Sequence, residues 1–374
     1  MTVPVSFVDT EIQRDLRQLV TAVVNDQVSG DTVRSVMLDT GVDDRVYETL
    51  VQSGVHALLI AEDNGGAGAA MADAALVSEV LATRVTPVPY LSAAVIIPTF
   101  LQHCEPSSSR DALLHVLAAG TSRATLVYRD AHGSVAKPSG VRSSTDGDRV
   151  RLNGVSAHVL DGAGADTLIV VAITDDGMLQ AVIVPRDTTG VTVTKTPVLD
   201  LTRPLATVMF NDVQVAADAV VASDVVSALT VAKRAALVAL SHEAVGGLNA
   251  LLTLTTAYAK QRLQFGRAIG SFQAVKHRLV DVLIAKEAAQ SAAVYASRVF
   301  ADDDTESSIA AFTAAAYCLP AYVDAALACL QIFGGIGFTW EHDVHLHIKR
   351  AKASSLLFGS ATHHRRDLAQ VLAL

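Results

Sequence analysis

The chain has 374 residues, 51% of them hydrophobic and 18% charged, more than one ordinary core organises, so two or three domains are expected. A net charge of −9 gives no basic footprint and sets nucleic acid aside as a partner. No uninterrupted apolar run reaches the roughly 18–20 residues of a membrane span, and the run at 235–240 stops at Ser241, His242 and Glu243.

The positive mean hydropathy therefore predicts packed helices and a large subunit interface, with no membrane association. Cys104, Cys318 and Cys329 form no CxxC pair and read as buried small hydrophobes, with neither a disulfide frame nor a metal site. The first residues lack the basic-then-apolar order of a signal peptide, so a cytoplasmic location is expected.

Residues 9–58 and 70–118 read as helices, because Ile12, Leu16, Leu19 and Val23, then Ala74, Ala75, Val77, Val80 and Leu81, recur at helical spacing. Between them Ala61-Glu-Asp-Asn-Gly-Gly-Ala-Gly68 marks a loop. From about 122 to 222 the period changes. Short β-branched runs at 123–128, 167–173, 179–184, 191–193 and 206–210, with turn residues between them, predict a β barrel or sandwich. Helical patterns then return at about 225–263, 271–302, 306–333 and 340–371. Glycine-containing breaks near 266–270 and 334–337 and an acidic turn, Asp302-Asp-Asp304, separate them into an antiparallel four-helix bundle. The expected organisation is α+β and multi-domain: a helical domain at 1–118, a β domain at 119–222 and the bundle at 223–374.

Two stretches of the bundle are specific. One is Tyr258-Ala-Lys-Gln-Arg-Leu-Gln-Phe-Gly266, followed by Phe272, Gln273 and His277; the other is Gln331-Ile-Phe-Gly-Gly-Ile-Gly-Phe338, followed by Glu341 and Arg350. Together they resemble the acyl-CoA dehydrogenase family. The Glu62 to Gly68 loop, the β region and Met209-Phe-Asn-Asp-Val-Gln-Val215 extend the resemblance over nearly the whole chain.

The resemblance implies an FAD site. Arg262 offers a bidentate fork to a pyrophosphate, Phe265 a flat face, and Gln273 and Gln331 hydrogen-bonding amides. Gly334 and Gly335 would let backbone N–H groups approach phosphate. Taken singly, each has a plain structural reading: a solvated charge, a core ring, a helix stop. In the family these residues serve largely a flavin held by a neighbouring subunit.

Family members remove the α-proton of an acyl-CoA with a carboxylate while hydride leaves the β-carbon for the flavin. The usual position of that base is Phe358, ahead of Gly359-Ser360, and the position used by a minority of relatives is Ala236. Glu243 is the best substitute, although two helical turns, roughly 10 Å, separate it from Ala236. Glu341 reads as structural and Asp343 as a surface neighbour. In the β region only Gly133-Ser134 remains of the loop that relatives use, and His158-Val-Leu160 replaces an aromatic-hydroxyl strand that covers the flavin ring. His158 reads as structural or exposed, and adjacent His363 and His364 face apart on a helix rather than forming a metal site.

The losses fall on the base and on a subunit's own flavin contacts, while the residues given to a neighbour are kept. That pattern resembles the base-lacking chain of actinobacterial two-subunit acyl-CoA dehydrogenases acting on steroid side-chain thioesters. It implies a homologous catalytic partner in a heterotetramer with two copies of each chain, an acyl-CoA substrate and an electron-transfer flavoprotein or similar acceptor. Two alternatives stand: a self-sufficient homomeric enzyme with Glu243 as relocated base, and a flavin-free scaffold.

Overall fold

A computed structural model describes residues 6–130, 132, 139–301 and 305–374. Helices α1 (Glu11–Gln27), α2 (Gly30–Leu38), α3 (Asp44–Gln52), α4 (Met71–Ala82), α5 (Ile97–Gln102) and α6 (Ser108–Ala118) lead into a β region. Its strands are β1 (Ala124–Val127), β2 (Val141–Asp146), β3 (Arg149–Leu160), β4 (Thr167–Ile173), β5 (Leu179–Pro185), β6 (Val191–Thr196), β7 (Leu205–Ala216) and β8 (Val220–Ala222). Helix α7 (Val226–Gln261), a hairpin of β9 (Leu263–Gln264) and β10 (Arg267–Ala268), and helices α8 (Gln273–Arg298), α9 (Thr305–Phe333), α10 (Val344–Leu357) and α11 (Ala361–Val371) complete the chain. It forms two compact units, one of Met1–Ser35, Met71–Thr86 and Leu237–Leu374, the other of Val36–Ala70 and Pro87–Ala236.

The first unit is helical. Thr10 and Gln13 close a capping box at the start of α1, which satisfies two of the amide groups a helix leaves open. Gly246 and Gly247 set how closely α7 packs. A Cβ on Gly246 would lie 1.9 Å from the Glu79 carbonyl oxygen on α4, and one on Gly247 would lie 2.1 Å from the Tyr322 ring on α9. Both helices can meet α7 only because neither position carries a side chain.

The second unit is built on one mixed eight-stranded sheet in the order β6-β7-β3-β2-β4-β5-β8, with β1 added beside β4. Val127, Val141, Leu152, Leu168, Val170, Val182, Val208 and Phe210, from six different strands, share one buried cluster, so the sheet curls around its own core as a barrel does. A seven-residue π-helix, Tyr90–Ile96, is fully buried in this unit, and Ser92 Oγ donates to Asp161 Oδ2 at 2.5 Å.

The expected helical and β regions are present, with differences of detail. Residues 9–58 are three helices and a short 3-10 turn, because Val28-Ser29 and the Thr40 to Asp43 segment interrupt the pattern. Residues 70–118 contain the π-helix and two further breaks. The polar hairpin β2-β3 and strand β8 are not among the expected runs, since their residues carry few consecutive β-branched side chains. The last helix is two: Phe358-Gly359-Ser360 divides 340–371, with Gly359 at φ +110°. Gly133-Ser134 and Asp302-Asp-Asp304 lie outside the described residues.

By length and composition two helical stretches, Val226–Gln261 and Thr305–Phe338, are apolar enough to cross a membrane, although polar residues interrupt both. The apolar window of the first is 83% buried and that of the second only 33%. The first is therefore a core helix, whereas α9 has an apolar side that its own chain leaves open.

Candidate functional site

Both specific stretches end at the same place in the helical unit. The Tyr258 ring, in the last turn of α7, packs against Phe333 at 4.5 Å between centroids, and Phe333 packs against His342 at 4.1 Å. This three-ring stack joins the C-terminal ends of α7 and α9. Burial pushes the His342 imidazole down from its usual range, Asp343 opposes that shift and Arg34 adds to it, so the ring packs as a neutral group. Tyr258 stands at the head of one motif and Phe333 in the middle of the other. An aromatic at each helix end was the available sign that they meet.

From the stack outward the groups are exposed. Arg262 continues α7, its N–H bonded to the Tyr258 carbonyl at 2.8 Å, and its own carbonyl accepts from Ile269 at 2.8 Å. That bond closes the β9-β10 hairpin, whose two-residue loop is Phe265-Gly266, with φ +51° and +74°. Positive φ at both positions makes this a type I′ turn, which Gly suits and Phe does not. Phe265 is nonetheless 90% exposed at the tip. The Phe272 ring braces it edge-on at 6.1 Å, with the Arg267 guanidinium 4.0 Å above Phe272. Gln273 opens α8 beside this brace, exposed, with its amide 3.4 Å from His277 Nε2.

Gln331 is exposed in the last turn of α9, and Gly334 ends the helix at φ +63°. The pair Gly334-Gly335 thus stands where α9 ends and a 3-10 turn, Gly334–Phe338, begins. What the pair supplies is clearance. A Cβ on Gly335 would meet nothing within 4 Å, and its φ is ordinary. Neither packing nor backbone geometry within the chain requires glycine there, as expected of a surface that something else approaches closely.

The two positions expected for a base carry apolar side chains. Phe358 is buried at the end of α10 and Ala236 is completely buried. Glu243 is also buried: its Oε2 lies 3.3 Å from Arg350 Nη1, and its Oε1 accepts from Ser354 Oγ at 2.5 Å. This internal ion pair links α7 to α10 and gives Glu243 a structural role in the bundle. Asp343 lies at the surface, with its side chain 38% exposed. It forms a 2.7 Å ion pair with Arg34, and a Cβ on Gly30 would fall 2.2 Å from its Oδ1. Glu341 is exposed. His158 is half-buried with φ +55°, inside the register shift between β3 and β7, so it serves a β-bulge. His363 is exposed and caps α11 through Ser360, while His364 is fully buried; the two face apart.

A second polar cluster has no counterpart in the sequence reading. His242 Nδ1 lies 3.0 Å from Glu79 Oε2, its Nε2 lies 3.1 Å from both Ser297 Oγ and the Ala293 carbonyl, and Arg17 donates to Glu79 at 2.8 Å. The order Ser, His, Glu resembles a hydrolytic triad. The Ser297 hydroxyl, however, donates to the Val294 carbonyl at 3.0 Å, so its proton is not directed at the imidazole as a triad requires. Burial opposes ionisation of Glu79, but His242 and Arg17 outweigh it and hold the carboxyl below its usual range.

Residues 228–373 match a family model described as acyl-CoA dehydrogenase, C-terminal domain. The chain is 33% identical over 355 residues to acyl-CoA dehydrogenase IpdE2 of Mycolicibacterium smegmatis, covering 94% of this chain and 96% of that one. Its backbone superposes on a chain of the ChsE4-ChsE5 complex from Mycobacterium tuberculosis with a TM-score of 0.89, at 26% identity over 98% and 99% of the two chains. It also superposes on a chain of a variant of the Tcur3481-Tcur3483 steroid ACAD with a TM-score of 0.85, at 26% identity over 97% and 98%.

Proposed function

Because this chain belongs to the acyl-CoA dehydrogenase family, whose cofactor is FAD, we propose that it is the base-lacking subunit of a heteromeric enzyme. The complex desaturates a bulky acyl-CoA, of steroid side-chain type, in the cytoplasm. The observation that carries this reading is the state of the three positions where a base could stand: Phe358 and Ala236 are buried apolar groups, and Glu243 is tied to Arg350 and Ser354. A general base must reach the proton it removes, and none of these does.

The groups that would hold FAD are all turned outward. Arg262 would face the pyrophosphate, Phe265 would stack on a ring, Gln273 and Gln331 would bond polar edges, and Gly334-Gly335 would admit close approach. FAD supplies the hydride-accepting ring; this chain's part is to bind and orient it on a partner that contributes the carboxylate. The open side of the bundle supports such a partner, with Val280, Leu283, Ile284, Leu327, Ile336, Phe338 and Trp340 all exposed. An electron-transfer flavoprotein or similar acceptor would reoxidise the flavin.

The test is to purify the chain alone and together with a relative that keeps the carboxylate. A colourless chain alone and a yellow hetero-oligomer with about one flavin per pair of chains would support the proposal. A yellow homo-oligomer that is bleached by acyl-CoA would overturn it. If Arg262→Ala leaves the flavin content of the co-purified complex unchanged, the outward residues do not serve FAD.

A further inference from the structure

A cavity of about 310 Å³ opens in the helical unit beside the three-ring stack, since Leu254 lies one turn before Tyr258 on α7 and Asp343 follows His342. Its wall combines Asn25 of α1, Arg84 and Val85 just after α4, Asn249 and Leu254 of α7, and His347 of α10. Three features set it apart from an ordinary surface groove.

The first is its floor. His347 is 3% exposed. Its Nδ1 lies 2.8 Å from the Tyr322 hydroxyl, whereas Nε2 has no hydrogen-bond partner among the described residues and opens on the cavity. An imidazole nitrogen left open in this way offers one hydrogen bond to whatever enters the cavity. The second is the rim. None of Asn25, Arg84 and Asn249 gives its side chain to another described residue, so one guanidinium and two amides are available together. The third is the backbone. Helix α4 ends in a Schellman turn, with Thr86 N–H bonded to the Leu81 carbonyl and Val85 N–H to the Ala82 carbonyl, both at 3.1 Å. The left-handed position of that turn, normally glycine, is Val85 at φ +52°. A β-branched residue there is a backbone outlier, and it fixes both Arg84 and the apolar Val85 side chain at the cavity.

We propose that this cavity binds a small carboxylate-bearing molecule with a short apolar stem, the carboxylate on Arg84 and the amides, the stem against Val85, Leu254 and Leu346. A monoanion fits better than a phosphate dianion. Arg84 is the single unpaired cation of the wall, and the neighbouring Asp343 carboxylate, although paired with Arg34, would repel a second negative charge. Burial, aided by Arg84, holds His347 neutral, so the floor offers one hydrogen bond and no further charge. The cavity is lined by none of the residues proposed to meet the flavin, and its test does not depend on them.

The experiment uses the full chain, with a co-purified partner if solubility needs one, and titrates sodium hexanoate, hexanol and inorganic phosphate by calorimetry. The chain is labelled at histidine nitrogen so that the His347 resonance can be followed. Saturable hexanoate binding that moves the His347 signal, and that Arg84→Gln weakens at least tenfold, would establish the site. Asn249→Leu should weaken it in the same direction, and Arg149→Gln, an exposed arginine elsewhere, should not. Hexanol binding as well as hexanoate, a preference for phosphate, no effect of Arg84→Gln, or no saturable binding would each overturn the proposal.

Discussion

The Ser354 hydroxyl donates to the Glu243 carboxylate at 2.5 Å, and the Arg350 guanidinium sits 3.3 Å from the other oxygen. All three side chains are buried, so Glu243 is an internal anion matched by a cation and a donor. Removing it takes the carboxylate away from the buried Arg350, and breaking a buried ion pair costs about 3–5 kcal/mol at such sites. Glu243→Ala should lower stability by that amount in denaturant unfolding, and Glu243→Gln by less. A relocated base would behave otherwise: Glu243→Gln would abolish turnover of the complex while leaving stability intact.

His347 makes folding sensitive to mild acid. Burial lowers its pKa to about 4, Asp343 opposing the shift and Arg350 and Arg84 adding to it. The unfolded chain, with an ordinary imidazole near 6.5, binds a proton over that interval and the fold does not. Stability is thus fully present above about pH 6.5 and is lost as pH falls toward 4, by about 3 kcal/mol at most. His347→Gln should flatten this dependence in urea titrations at pH 7 and pH 4.5.

Phe265 holds a left-handed conformation at the tip of an exposed hairpin. Phe265→Gly should relieve roughly 1–2 kcal/mol of steric cost, offset by roughly 0.5–1 kcal/mol from the freer unfolded glycine. The chain should therefore be equally or slightly more stable, by thermal denaturation. Flavin content of the co-purified complex should nonetheless fall. A ring kept for turn stability alone would give the opposite pair of results.

Gly335 separates folding from function in a second way. A methyl group there meets nothing and forces no change of φ, so Gly335→Ala should alter stability by less than about 0.5 kcal/mol. The same methyl group lies where close approach is proposed, and it should reduce flavin retention by the complex. The ratio of visible flavin absorbance to protein absorbance would measure the loss.

Much of this was legible in order and composition. The strands at 167–173 and 179–184 are runs of buried aliphatics, and α7 to α9 announce themselves through long apolar repeats. The β2-β3 hairpin hid because Arg149, Arg151 and Asn153 alternate with only single apolar residues, and its pairing comes from the neighbouring strands. The π-helix is invisible to a 3.6-residue period. At the candidate site, residue identities were readable one by one, but that Tyr258 and Phe333 meet is a fact of packing between helices far apart in the chain. The pairing of Glu243 with Ser354 and of Asp343 with Arg34 is likewise tertiary. A carboxylate in a sequence does not reveal whether it is free to accept a proton.

The apolar side of α9 bears on how the chain must be handled. Leu327, with Ile336 and Phe338 just beyond the helix, faces water unless another surface covers it, and that hydrophobic penalty is relieved only by association. If the proposed assembly covers that side, dilution would act on this protein as a destabilising condition in its own right. A melting temperature measured at one concentration would not carry over to another, and chains that emerge from synthesis far from anything to cover that side would meet aggregation and proteolysis first.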